Sequence, residues 1–391
     1  AALGFGGIGL GGLSAIYAGN AAQLTMTGVV SGRADGVGGS SQNGTGGAGT
    51  GGRTSSTIVA GSAGGATLTF NGDLSLAAKG VGGSSLGTSA VGGKGTGGIS
   101  EFGWPGETHV VNGALSLGAA AYGGYSANST GGAGEGGLTY LAKGTVTGLA
   151  SLLVNAGGGE GLEGGMATGG TANVGATATG GDITVGALFA NAGGVGGGSY
   201  SSLSGGLGQG GTINLKARDG FKTQILGATN LYSVGSGETE GGSGGAGRGG
   251  TILVEALASS ILRMDGGLNA NADGRGGVTG TTANDGQGGT IIVRTTGNNA
   301  LVSVGTAQVA AATSLSAQGF GGSGIGILCQ SCSNSGGAGL GGTIVVRAAG
   351  GSGSRLNLRG AVTLNASGSG GSSNDSFGEF SELSGLSAPT G

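Results

Sequence analysis

Charge, sulfur, proline and aromatic rings are all scarce in this chain. Of 391 residues, 15 are Lys or Arg and 18 are Asp or Glu, for a formal net charge of −3. Cations this thinly spread form no basic patch, which argues against nucleic acid and anionic membrane as partners. Only 2 prolines occur and no strict Gly-x-y period exists, so collagen is excluded. No apolar run approaches the ~20 residues of a membrane span, and no basic n-region or cleavage-site pattern is present. The single histidine, His109, has no cysteine or repeated carboxylate in sequence reach and reads as a lone surface residue. The densest polar group, Lys216, Arg218 and Asp219, fits an outward face followed by a turn. No catalytic residue and no cofactor are therefore expected, and the chain is read as not an enzyme.

Two cysteines stand close together as Cys329-Gln-Ser-Cys332. A zinc site needs four ligands, and one His with no second cysteine pair cannot supply them. The pair reads as a local disulfide bracing an enlarged loop, which points to an oxidising compartment. Calcium-binding Gly-rich repeats need a regular Asp in each turn. Here Asp273-Gly274 and Asp285-Gly286 are the nearest approaches, and both read as turns.

What is abundant is glycine, at 108 residues. Disorder is the first thought for such a composition. Against it, 36% of residues are hydrophobic and they fall in alternating, strand-like runs. In the C-terminal half a unit returns four times, as Gly210-Gly211-Thr212-Ile213, Gly249-Gly250-Thr251-Ile252, Gly288-Gly289-Thr290-Ile291 and Gly341-Gly342-Thr343-Ile344. Its threonines are 39, 39 and 53 residues apart (212, 251, 290, 343). A weaker copy starts at Gly169-Gly170-Thr171. A unit that returns at a near-fixed period and cannot bury its own apolar face marks a stacked, quasi-one-dimensional protein.

Between these strands recurs a second one that runs into a Gly-x-Gly-Gly stretch, as at Leu74–Gly83, Leu268–Gly277, Leu315–Gly322 and Leu364–Gly371. Looser copies begin at Leu24, Leu115 and Ile183. Period-2 alternation turns Ile213 and Leu215 inward, with Ile252 and Val254, Ile291 and Val293, and Ile344 and Val346 repeating the set. Stacking then builds one internal ladder of Ile and one of Leu and Val. Lys216, Glu255, Arg294 and Arg347 form the matching outward column, with Glu255 between two cations; the like-charged Arg294 and Arg347 are expected either to be separated by the 53-residue interval or to splay into solvent. As exposed pairs these would contribute about 0.2–1 kcal/mol and set register more than stability. No run shows helical spacing, and glycine is too frequent for a helix to propagate.

The expected fold is all-β, a parallel β-helix or β-solenoid of about eight or nine repeats of roughly 39–50 residues with long Gly-rich loops. One coil of two or three short strands plus a protruding Gly loop is preferred over two compact coils per repeat. Whether the loop glycines serve positive-φ turns or pack as extended chains is left open by the sequence. A single solenoid is expected over residues 1–371, degenerate over 1–168 and regular over 169–371, with 372–391 as a non-repeat tail or junction. Trp104 to His109 interrupts the pattern as a decorated loop. Neither end reads as a polar cap, so either the chain is a window of a longer protein or its ends dock onto other copies.

The Gly-Gly-Thr-Ile-x-Val-x-Ala strands and the Leu-[Asn/Ser]-Ala-x-Gly-x-Gly-Gly stretches resemble, in repeat style, the shafts of filamentous-haemagglutinin-like adhesins and related type V secreted exoproteins. The likeness spans Leu24 to Gly371. It implies a right-handed parallel β-helix, an extracellular or cell-surface location, and adhesion or biofilm roles. The high glycine content and the lack of a secretion domain depart from that group. Two functions are expected, in order: a rod or filament subunit that self-associates end to end, and an adhesin that binds glycan or a host or neighbour surface through loops or an exposed strand face. A remote third is ice binding by the Thr212, Thr251, Thr290 and Thr343 ladder, which would need a second Thr column beside it.

Overall fold

A computed structural model describes residues 4–18, 22–56, 65–104, 108–175, 181–200, 204–237, 244–277, 283–324 and 335–372. All secondary structure among them is strand, and the paired strands run parallel from coil to coil. Nine coils stack into a parallel β-solenoid with four sheets. Coil 7 illustrates the path: Gly247–Arg248 in sheet I, Thr251–Ala256 in sheet II, Ile261–Met264 and Leu268–Asn271 in the two halves of sheet III, and Gly274–Arg275 in sheet IV. Each sequence repeat is therefore one coil. Sheet I runs through the 168/169 division unbroken, because Ala167–Thr168 pairs with Gly134–Glu135 and Gly208–Gln209.

Sheets II and III enclose the apolar core. Ile213 pairs with Ile252, Ile252 with Ile291 and Ile291 with Ile344, and the Leu215, Val254, Val293 and Val346 file runs beside it. The internal members of both files are fully buried, as are Leu262, Met264 and Ala270 facing them from sheet III. Each such Ile, Leu, Val or Met side chain contributes about 1.5–3 kcal/mol over its exposed state. At the corner from sheet II to sheet III the chain turns through left-handed residues in successive coils, Asp219 (φ 57°), Ser259 (φ 60°) and Asn299 (φ 54°). Asp and Asn tolerate that region because their short polar side chains bond locally.

Three expectations need correction. Leu24 and Ile183 do not begin the second strand of the repeat: Leu24 pairs with Leu68 and Ile183 with Thr223, in the first half of sheet III. That half, which includes Lys222–Ile225, Ile261–Met264 and Leu301–Val304, is a strand the repeat reading lacked. Second, the 53-residue interval does not separate Arg294 from Arg347. They pair in register, because much of the added length lies beyond Gly319–Phe320, on the far side of the coil.

Third, the described parts of the Gly-rich stretches are not protruding loops. They form sheets I and IV, two walls that face each other mostly through backbone. Hydrogen bonds cross between the walls as well as running along them: Gly47 N–H donates to Gly39 O (2.8 Å), Gly83 to Gly47 (2.8 Å), Gly93 to Gly83 (2.7 Å) and Gly124 to Gly93 (2.8 Å). The zigzag continues through Gly132, Gly159, Gly165 and Gly197. A Cβ on Gly80 would overlap the Thr96 carbonyl of the opposite wall, and one on Gly235 the Arg248 carbonyl. Close approach, not positive φ, is why glycine is required there. Burying only peptide groups demands that those groups be paired, and the crossing bonds do this.

Candidate functional site

Glu255 lies in sheet II with Lys216 before it and Arg294 after it in the column. Its Oε1 accepts from Arg294 Nε at 2.7 Å and from Thr296 Oγ1 at 3.1 Å, and its Oε2 stands 3.7 Å from Lys216 Nζ. The reading of this column as exposed pairs is overturned for its centre, since Glu255 is only 3% exposed. The long cations lie over the carboxylate and shield it, while Arg347 reaches into solvent. Breaking the cluster is therefore asymmetric. Arg294→Met leaves a buried carboxylate with only the Thr296 hydroxyl and a distant Lys216, at an expected cost of about 2 kcal/mol in denaturant unfolding. Glu255→Gln leaves two cations that can hydrate and should cost less. Equal losses in the two variants would contradict this geometry.

His109 is also not a surface residue. It is 1% exposed, in the inward column of sheet III between Leu68 and Gly144, and its ring meets Phe102 edge-on at 5.4 Å. Gly144 (φ 128°) supplies room, since a Cβ there would press on the His109 backbone oxygen and Cβ. Trp104 N–H donates to His109 Nε2 at 3.4 Å, which fits a neutral imidazole. Burial, assisted by the positive charge of Lys143, lowers the His109 pKa to about 4. The imidazole thus faces Leu68 and Phe102 in the core of the described residues.

Asp273 and Asp285 do not act as simple turn residues. Asp273 Oδ1 accepts from Ser316 Oγ at 2.6 Å and from the Gln318 backbone at 2.8 Å, both in the next coil. Asp285 Oδ1 accepts from Ala338 N at 2.8 Å. Asp35, Asp73 and Asp182 do the same for Lys79, Ala114 and Lys222. These carboxylates staple coil n to coil n+1. The recurrence of Asp-Gly at 35, 273 and 285 was the available signal. Among the described residues no three His, Cys, Asp or Glu side chains form a metal-binding group. Arg218 and Asp219 pair with each other at 2.9 Å on the corner turn. Cys329, Cys332 and the stretch 373–391 lie outside the described residues.

On the outer face of sheet II, Thr171, Thr212, Thr251, Thr290 and Thr343 stand in register. The neighbouring column is Asn173, Asn214, Leu253, Ile292 and Val345, so no second Thr file accompanies it on that sheet.

Apolar side chains of the first and last described coils are only partly covered. In coil 9, Ile344, Val346, Leu356 and Leu358 are only partly buried, and Val362 and Leu364 are 45% and 52% exposed. Their counterparts in coil 1, including Ile16, Leu24, Met26 and Val30, are partly buried too. If coil 1 of a second copy continued the register of coil 9, most inward positions would place apolar on apolar and the wall positions glycine on glycine, with Ile344 over Ser14 as the exception. Val346 would meet Ile16, Leu356 would meet Leu24, Leu358 would meet Met26, and Gly339 and Gly368 would meet Gly9 and Gly36. Leu364 would face Gly32, which leaves it space. Compared with protein-family models, curated proteins and solved structures, the chain matches none.

Proposed function

We propose that this chain is an extracellular structural protein, a rod or filament subunit of a bacterial surface whose copies stack end to end through coils 1 and 9. The observation that carries this reading is the match at most inward positions between coils 1 and 9. A sheet edge with unpaired N–H and C=O groups templates another strand, and four parallel edges in one plane template a whole coil. The surface supports the location: only 8% of residues are charged, and a polar, nearly non-ionic exterior suits a secreted fibre. The repeat style shared with filamentous-haemagglutinin-like shafts supports it from the sequence side.

Electron microscopy and fibre diffraction of purified protein test the reading. Ordered fibres are expected, with the coil spacing near 4.8 Å and a subunit repeat of about 43 Å for nine coils. Leu364→Lys, which places a charge against Gly32 of the next copy, should abolish the fibres without unfolding the rod. Monodisperse short rods at high concentration, or fibres that persist in the variant, would count against end-to-end stacking.

A further inference from the structure

A shallow groove of about 240 Å³ lies on the outside of the rod in coils 1 to 4, where the second half of sheet III turns toward sheet IV. It exists because the outward column that carries Arg33 in coil 1 and Leu153 in coil 4 shrinks to Ala77 and Gly118 between them. One side is a ladder of hydroxyls, Ser31, Ser75 and Ser116, at coil spacing. The other holds Tyr122, 41% exposed, whose phenol oxygen accepts from Asn155 Nδ2 at 3.4 Å. The Leu-Ser-Leu recurrence at 74–76 and 115–117 was the sequence trace of this ladder.

The charges in the groove are not balanced within it. Arg33 pairs with Asp35 at 2.6 Å, and the other oxygen of Asp35 accepts the Lys79 backbone N–H at 2.8 Å. Lys79, half-buried on the groove wall, has no ion-pair partner among the described residues. A cation beside a row of hydroxyls and an aromatic face is a complementary set: carboxylate for the ammonium, ring hydroxyls for the serines, and the apolar face of a pyranose for tyrosine.

We propose that this groove binds an acidic saccharide, one or two sugar units carrying a uronate carboxylate on Lys79. The site lies on the flank of the rod, so it neither needs nor blocks end-to-end stacking. It also places the glycan reading on a strand face and not on a loop.

Titration calorimetry with a uronic-acid oligosaccharide tests the proposal, with the matching neutral hexose oligomer and sodium acetate as comparison probes. Binding in the millimolar range or tighter is expected for the uronate, and about tenfold weaker for the neutral oligomer, since one charge-assisted contact is lost. Lys79→Met should erase that preference. Gly118→Val should abolish binding while leaving the far-ultraviolet circular dichroism unchanged, because a Cβ at Gly118 meets nothing closer than 3.9 Å and projects into the groove. No binding to the uronate, equal binding of both oligomers, acetate binding as strongly as the uronate, or full binding by Gly118→Val would each overturn the proposal.

Discussion

Gly235→Ala is expected to lower unfolding stability by about 3 kcal/mol, the upper part of the range for overpacking a close-packed interior. The added methyl would meet only main chain, the Arg248 carbonyl and the Gly208 oxygen of the opposite wall, and neither can rotate away. Relief would require sheets I and IV to separate over several coils, breaking the crossing hydrogen bonds that satisfy their peptide groups. The chain contains its own control. The same sheet IV column carries Ala121 and Ala156 in coils 3 and 4, and Ala167 stands in sheet I in coil 5, all buried. There the walls already accept a methyl, so Ala156→Gly should change stability by less than about 1 kcal/mol, mostly through added chain entropy. Denaturant unfolding of both variants gives the comparison. A Gly235→Ala rod as stable as wild type would mean that the walls are loose, and the account of glycine as a close-approach residue would fail.

Acidification gives the second large effect. With the His109 pKa lowered to about 4 in the folded protein and near 6.5 once unfolded, the unfolded state binds the proton first. The histidine's contribution is complete above pH 6.5 and declines as the pH falls from there. It levels off below about 4, after a loss of about 3 kcal/mol. Raising the pH above 7 should do nothing through this group. Carboxylates also titrate in the lower part of this window, so the informative quantity is the difference between wild type and His109→Leu, in which they are common. Leucine suits the column, where Leu24 and Leu68 occupy the same position in coils 1 and 2. The variant's stability should be flatter than wild type between pH 6.5 and 4, and parallel profiles would show that His109 is hydrated or already charged.

Both effects arise where the one-dimensional reading stopped short. The Gly-Gly-Thr-Ile strands were legible because alternation and period are local properties, and stacking follows once equivalent residues recur at a constant interval. The first half of sheet III was missed because segments such as Lys222–Ile225 and Leu301–Val304 share no motif, only a position between two turns. The Glu255 cluster was legible as a column but not as a burial, because the shielding comes from the stems of Lys216 and Arg294 in adjacent coils. The Lys79 groove needed four coils in place before a gap at Ala77 and Gly118 could be seen.

The amino-acid order alone pointed to strand as the regular structure of the described residues, to parallel coils, and to the side chains that form the Ile213 to Ile344 ladder. A side chain's direction along a strand depends only on its own parity. What glycine does here was decided only in three dimensions. A residue without a side chain carries no parity signal, and its need for space is set by the main chain of a wall many residues away.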